Sequence, residues 1–212
     1  LPAIGWWENE LQRLQVRVHL GESIDATDPP KADDLIWATG GDARPTQIWH
    51  IRPHLREGIP GTEGLPHGRA IMAGTVAVSG KVLVIDEEGG WPAISLCETL
   101  AASDEVTSVD VATSEASLGG AELDLYFETL DVAARVRAEG ITVHGSALVD
   151  SVANGVATLS GGGTLGPFDA IVMATGTTAR AVPDDALAIG DCVAPRSIWA
   201  ATRDATVLAR RL

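Results

Sequence analysis

Cysteine is nearly absent from this chain: Cys97 and Cys192 are the only two in 212 residues. Two isolated thiols cannot ligate an iron–sulfur cluster or build a metal site, and they form no redox pair. Five histidines add no metal ligand set. His50 and His54 are four apart, but Pro53 breaks any helix that could align them. Basic residues are also scarce, 15 against 29 acidic, and the resulting net charge of −14 repels a phosphate backbone at long range, which excludes nucleic acid as a partner. No apolar run reaches the roughly 18 residues of a membrane helix, and no basic-then-apolar leader opens the chain. A soluble, cytoplasmic protein is expected. No Ser-His-Asp or Cys-His set has defensible spacing, so no catalytic residue is assigned.

What the chain does contain is glycine, 23 residues of it, and short runs of alanine and valine within a 45% hydrophobic composition. That suits an α/β protein with one large core or two small ones. Residues 6–14 (WWENELQRL) have helical spacing, with Trp7, Leu11 and Leu14 on one face. Alternation predicts strands over 16–21 and 33–40, the second closing in Ala38-Thr39-Gly40. The continuous apolar run 81–85 (KVLVI) reads as a buried parallel strand, followed by the turn Asp86-Glu87-Glu88-Gly89-Gly90 and a helix over 92–102. A strand over 106–112, one long helix over 123–138 ended by Gly140, and a strand over 141–144 come next. Asn154-Gly155 marks a hairpin between 148–149 and 156–159, Gly161-Gly162-Gly163 makes the next turn, and strand 168–174 runs into a second Ala-Thr-Gly at 174–176.

The end of the chain is the most specific part. A short strand stops at Gly190-Asp191, Ala194-Pro195-Arg196 follows, and Ser197 opens a final helix. Glycine there admits a ligand to the backbone, a carboxylate can accept from ribityl or ribose hydroxyls, and a helix N-terminus aims N–H groups at a pyrophosphate. This ending, with the two Ala-Thr-Gly tripeptides, resembles the C-terminal nucleotide-binding domains of the trimethylamine dehydrogenase, histamine dehydrogenase and 2,4-dienoyl-CoA reductase flavoproteins.

The resemblance implies a three-layer Rossmann-like α/β fold with a second Rossmann-like domain inserted: an outer FAD- or ADP-binding domain over 1–78 and 179–212, and an NAD(P)-like domain over 79–178. The outer domain's first strand and its Gly-x-Gly-x-x-Gly turn are missing, as though the chain began in the following helix. Thr39, Gly40, Gly41, Gly190, Asp191 and Arg196 would hold FAD or ADP, and Gly89 and Gly90 a pyridine nucleotide. The family's FMN and 4Fe-4S cluster would belong to a barrel module upstream, in the same protein or a separate subunit. That module, or a second copy of the chain in a homo-oligomer, would be the partner. The function implied is the nucleotide-binding part of a flavin-dependent oxidoreductase, inactive alone; the alternative is a non-catalytic ADP-binding or assembly domain.

The turn at 86–90 departs from the family's glycine fingerprint. Three carboxylates would face two phosphates, and no Arg or Lys follows the strand 106–112 to hold a 2′-phosphate. NADH is admitted at this turn and NADPH disfavoured. Tyr126, Phe127 and Leu130 have the spacing of a core-facing stripe. Trp6 and Trp7 suit either an adenine cover or a face packed on the absent first strand.

Overall fold

The computed structural model describes residues 2–44 and 52–212, so His50 lies outside the described residues. In chain order the elements are α1 (Pro2–Arg13), β1 (Ile36–Trp37), β2 (Gly41–Ala43), α2 (Gly68–Met72), β3 (Gly80–Asp86), α3 (Trp91–Ala101) and β4 (Val106–Thr113). They continue with α4 (Gly120–Tyr126), α5 (Thr129–Ala138), β5 (Thr142–His144), β6 (Val149–Ala153), β7 (Val156–Leu159), β8 (Thr164–Leu165), β9 (Ala170–Ala174), β10 (Thr177–Ala179), β11 (Leu187–Ala188) and α6 (Ile198–Ala209).

The centre is a parallel sheet in the order β5-β4-β3-β9, with Val84 registered against Val111 on one side and Val172 on the other. This is a Rossmann-like mixed α/β arrangement. The apolar run of β3 is continuous because both of its faces are covered. Side chains alternate between them: Val82 and Val84 join Ile94, Leu96 and Leu100 of α3 and Val132 and Val136 of α5, whereas Leu83 and Ile85 join Val149, Val152 and Ala157 of the antiparallel sheet β6-β7-β8. The three layers are therefore helices, parallel sheet and antiparallel sheet. Asn154 (φ 51°) and Gly155 (φ 74°) make the β6–β7 turn with two left-handed residues, as a tight hairpin requires.

Outside this body, β1 pairs with β11 in parallel and β2 with β10 antiparallel, and among the described residues β1 has no second strand partner. Ser197 caps α6, its Oγ accepting from Ala200 N at 3.4 Å. The expected strand over 33–40 contracts to Ile36–Trp37.

Three expectations are corrected. Residues 16–21 form no strand; Val16, Val18 and Leu20 are 49, 54 and 87% exposed, and alternation without a partner ladder satisfies no backbone group. The single helix over 123–138 is two, broken at left-handed Phe127 (φ 60°), with Glu128 N donating back to Leu123 O at 3.0 Å. The periodicity read across 126–130 therefore resets at the break: Phe127 and Leu130 are 94 and 86% exposed, and the core is reached by Leu123, Val132 and Val136 instead. No helix among the described residues is long and apolar enough to cross a membrane.

Candidate functional site

The first Ala-Thr-Gly and the C-terminal Gly-Asp lie at the ends of the adjacent parallel strands β1 and β11. Gly40 is left-handed (φ +75°) with nothing within 4 Å of the place a Cβ would take, so its surface is open. Thr39 Oγ1 is buried with no hydrogen-bond partner. Gly41 differs: a Cβ there would sit 2.6 Å from Thr178 O, so the close approach it allows is made by β10 and not left for a ligand. Arg180 straps this loop, donating from Nη1 to Thr39 O at 3.0 Å and pairing with Asp42.

On the other strand, Gly190 is left-handed (φ +70°) and buried. Asp191 Oδ1 accepts from Arg196 N at 3.1 Å, which folds the loop onto the start of α6. The Arg196 guanidinium is paired with Asp204 at 2.5 Å and donates to Ala194 O, the ion-pair role that a surface arginine beside carboxylates ordinarily takes.

The turn after β3 is arranged quite differently from three carboxylates facing outward. Asp86 is 1% exposed and turned in upon its own loop, Oδ1 accepting from Gly89 N at 2.9 Å and Glu88 N at 3.2 Å. Glu87 is 5% exposed and lies against buried Arg52 at 3.8 Å. Only Glu88 reaches the cavity beside the turn, a cleft of about 500 Å³ whose walls also carry Gly89, Arg44, Glu122, Arg196 and Ser197. Glu88 and Arg196 also line an adjoining cavity of about 300 Å³, with Asp191, Arg69 and His67.

The expectation that three carboxylates face the phosphates is thus overturned. The carboxylates of the turn are mostly consumed by the fold, and cations are present: Arg44, Arg69 and Arg196 line the two cavities, contributed by elements distant in sequence. Loss of hydration, reinforced by Asp86 and Glu122, pushes the Glu88 carboxyl up, and Arg44 and Arg69 oppose it. Loss of hydration likewise lowers His67, with Arg69 adding to the effect. Gly89, Arg196 and Asp191, drawn from two separate expected sites, border two cavities that share Glu88, Pro92, Thr177 and Arg196 in their walls. Sequence reasoning missed Glu115, which follows β4 and lies 3.6 Å from the place of a Gly89 Cβ, and Glu122. The spacing of an acidic residue after the second strand was the available signal for Glu115.

Burial raises the Asp86 carboxyl above its ordinary range, and the Gly89 N–H and Thr113 hydroxyl only partly offset this. A raised folded-state value means the folded protein holds the proton more tightly, so Asp86 favours folding most below its unfolded value of 3.8 and loses that contribution as pH climbs through the raised value. Asp86→Asn, which keeps an oxygen for Gly89 N, is expected to remove this downward slope of stability with pH. Urea unfolding of wild type and variant across that range, giving parallel curves, would refute it.

The sequence matches no protein-family model and no curated protein. Solved structures do match. The chain is similar to 6-hydroxypseudooxynicotine amine oxidase from Pseudomonas geniculata N1, with a TM-score of 0.76 and 22% identity over 92% of this chain and 32% of that one. It is similar to a 2-naphthoyl-CoA reductase (0.75, 21%, 95% of this chain and 30% of that one) and to histamine dehydrogenase from Rhizobium sp. 4-9 (0.70, 21%, 84% and 30%). The chain spans about a third of the length of these proteins. At such identities the likeness is one of fold.

Proposed function

We propose that this chain is the nucleotide-binding portion of a flavin-dependent oxidoreductase of the trimethylamine dehydrogenase, histamine dehydrogenase and dienoyl-CoA reductase type. In this reading, 1–78 and 179–212 make the outer FAD- or ADP-binding domain and 79–178 the inserted one. The observation that carries it is the pair of adjacent strand ends at Gly40 and Gly190, with Thr39 Oγ1 buried and unpartnered beside an open glycine. A buried hydroxyl without a partner costs free energy that a ligand hydrogen bond recovers, so these residues fit an ADP moiety.

Thr39, Gly40, Gly190 and Asp191 would hold that group, and Arg196 would orient the loop through its pair with Asp204. FAD bound here would supply two-electron and one-electron transfer toward an FMN and iron–sulfur module outside this chain. The solved structures of similar fold include an amine oxidase and a histamine dehydrogenase, which supports that assignment. Trp6, Trp7, Leu20, Ile198 and Trp199 are each at least half exposed, apolar area of the kind that an adjoining module would cover. A non-catalytic ADP-binding module is the second reading, favoured by the carboxylate of Glu122 lying on Gly90 in the other domain.

Flavin absorbance at about 450 nm in the purified protein separates the two, since only bound FAD gives it. Asp191→Ala is expected to weaken FAD or ADP binding by about 1–3 kcal/mol, and Asp191→Asn, which keeps an acceptor for Arg196 N, by less. Unchanged affinity of both variants by calorimetry would remove Asp191 from the site.

A further inference from the structure

We infer that Glu122 closes the turn after β3 to dinucleotides by placing its own carboxylate where a ligand pyrophosphate would lie. The inference rests on the proposed reading of β3–turn–α3 as a Rossmann-like half. In such a unit the glycines leave room for a pyrophosphate, and the turn and helix start offer it N–H donors. Here the room is filled. Glu122 Oε2 lies 1.8 Å from the place of a Gly90 Cβ, so the face that the glycine leaves bare is covered by a carboxylate. The donors are filled as well. Glu88 N and Gly89 N both serve Asp86 Oδ1, and Gly90 N donates to Gly119 O at 3.2 Å.

Glu122 is fixed in this position by its helix. Its neighbour Leu123 is fully buried against Ile94, an approach that Gly119 allows because a Cβ there would meet Leu123 at 2.2 Å. Left-handed Gly119 (φ 92°) and Phe127 (φ 60°) bound α4 at its two ends. Glu88 and Glu122 share the cleft with Arg44 and with Arg196, the latter already paired with Asp204, so an entering phosphate meets first the carboxylate that lies on the turn itself. The responsible charge therefore comes from α4 and from Glu88, not from Asp86 and Glu87. Glu115 beside Gly89 adds a bias against a 2′-phosphate, so NADH is the dinucleotide on which to measure the effect.

The test titrates NADH, followed by its fluorescence, into the whole chain as wild type, Glu122→Gln, which removes the charge and keeps the bulk, and Glu122→Ala, which removes both. Wild type is expected to show no saturation up to about 1 mM, and Glu122→Ala a gain in affinity of about tenfold or more, larger than that of Glu122→Gln. Unfolding curves matching wild type confirm that the variants are folded; should Glu122→Ala fail to fold, Glu122→Ser takes its place. Micromolar NADH binding by wild type, or a folded Glu122→Ala with no gain, overturns the inference. Failure to bind FAD or ADP at Gly40 and Asp191, measured separately, would instead count against the proposed function.

Discussion

Replacing Arg52 with alanine is expected to destabilise the protein by about 3–5 kcal/mol, because it removes one member of a buried charge pair together with the hydrogen bonds its guanidinium makes. Arg52 is 7% exposed, donates from Nη2 to Val149 O at 2.8 Å and to Asp150, and lies against Glu87, itself 5% exposed. One guanidinium thus joins the turn after β3 to the first strand of the antiparallel layer. Lysine is expected to recover little, since a point charge cannot reproduce the fork that serves a carbonyl and two carboxylates together. Removing both charges in Arg52→Met/Glu87→Gln is expected to cost less than Arg52→Ala alone, because neither member of the pair is then left charged without the other. Urea unfolding measures all three, and a loss below about 1 kcal/mol for Arg52→Ala would show that Glu87 finds other compensation.

Gly61→Ala is expected to cost about 3 kcal/mol or more. Two terms add. Gly61 has φ +83°, where a side chain costs roughly 1–2 kcal/mol, and its Cβ would stand 1.8 Å from Val152 O, a backbone atom that cannot swing aside. The segment is pinned there from both sides: Val152 N donates to Pro60 O at 2.8 Å, and Gly61 N to Glu63 at 2.9 Å. The neighbouring Gly64→Ala provides the comparison, for it is equally left-handed (φ +81°) with nothing within 4 Å. It should show the conformational cost alone. Equal losses for the two variants would mean that the β6 backbone moves to accommodate the methyl group.

Elements whose instructions are local were legible in the sequence. The largely β-branched run Val82-Leu83-Val84-Ile85, bounded by turn residues, reads as a strand covered on both faces, Asn154-Gly155 supplies the two left-handed residues of a tight hairpin, and Ser197 is an N-cap by its chemistry. Alternation over 16–21 was locally just as plausible, yet a strand exists only through a neighbour's hydrogen bonds, and none of the described strands lies beside it. Likewise the helical periodicity over 123–138 carried no mark of the break at Phe127, which follows from Leu123 and Val132 each having to reach the core.

The candidate site divides the same way. Gly40, Gly190 and Asp191, which follow the two outer strands, were readable from residue chemistry alone, because glycine freedom and a carboxylate after a strand are properties of the residues. Where the charge goes was set by packing between distant elements. Asp86 turned inward, Glu87 met Arg52 from 35 residues away in the chain, as their numbers show, and Glu122 came across from another helix to cover Gly90. Electrostatic energy depends on separation in space and on burial, neither of which is written in the order of residues.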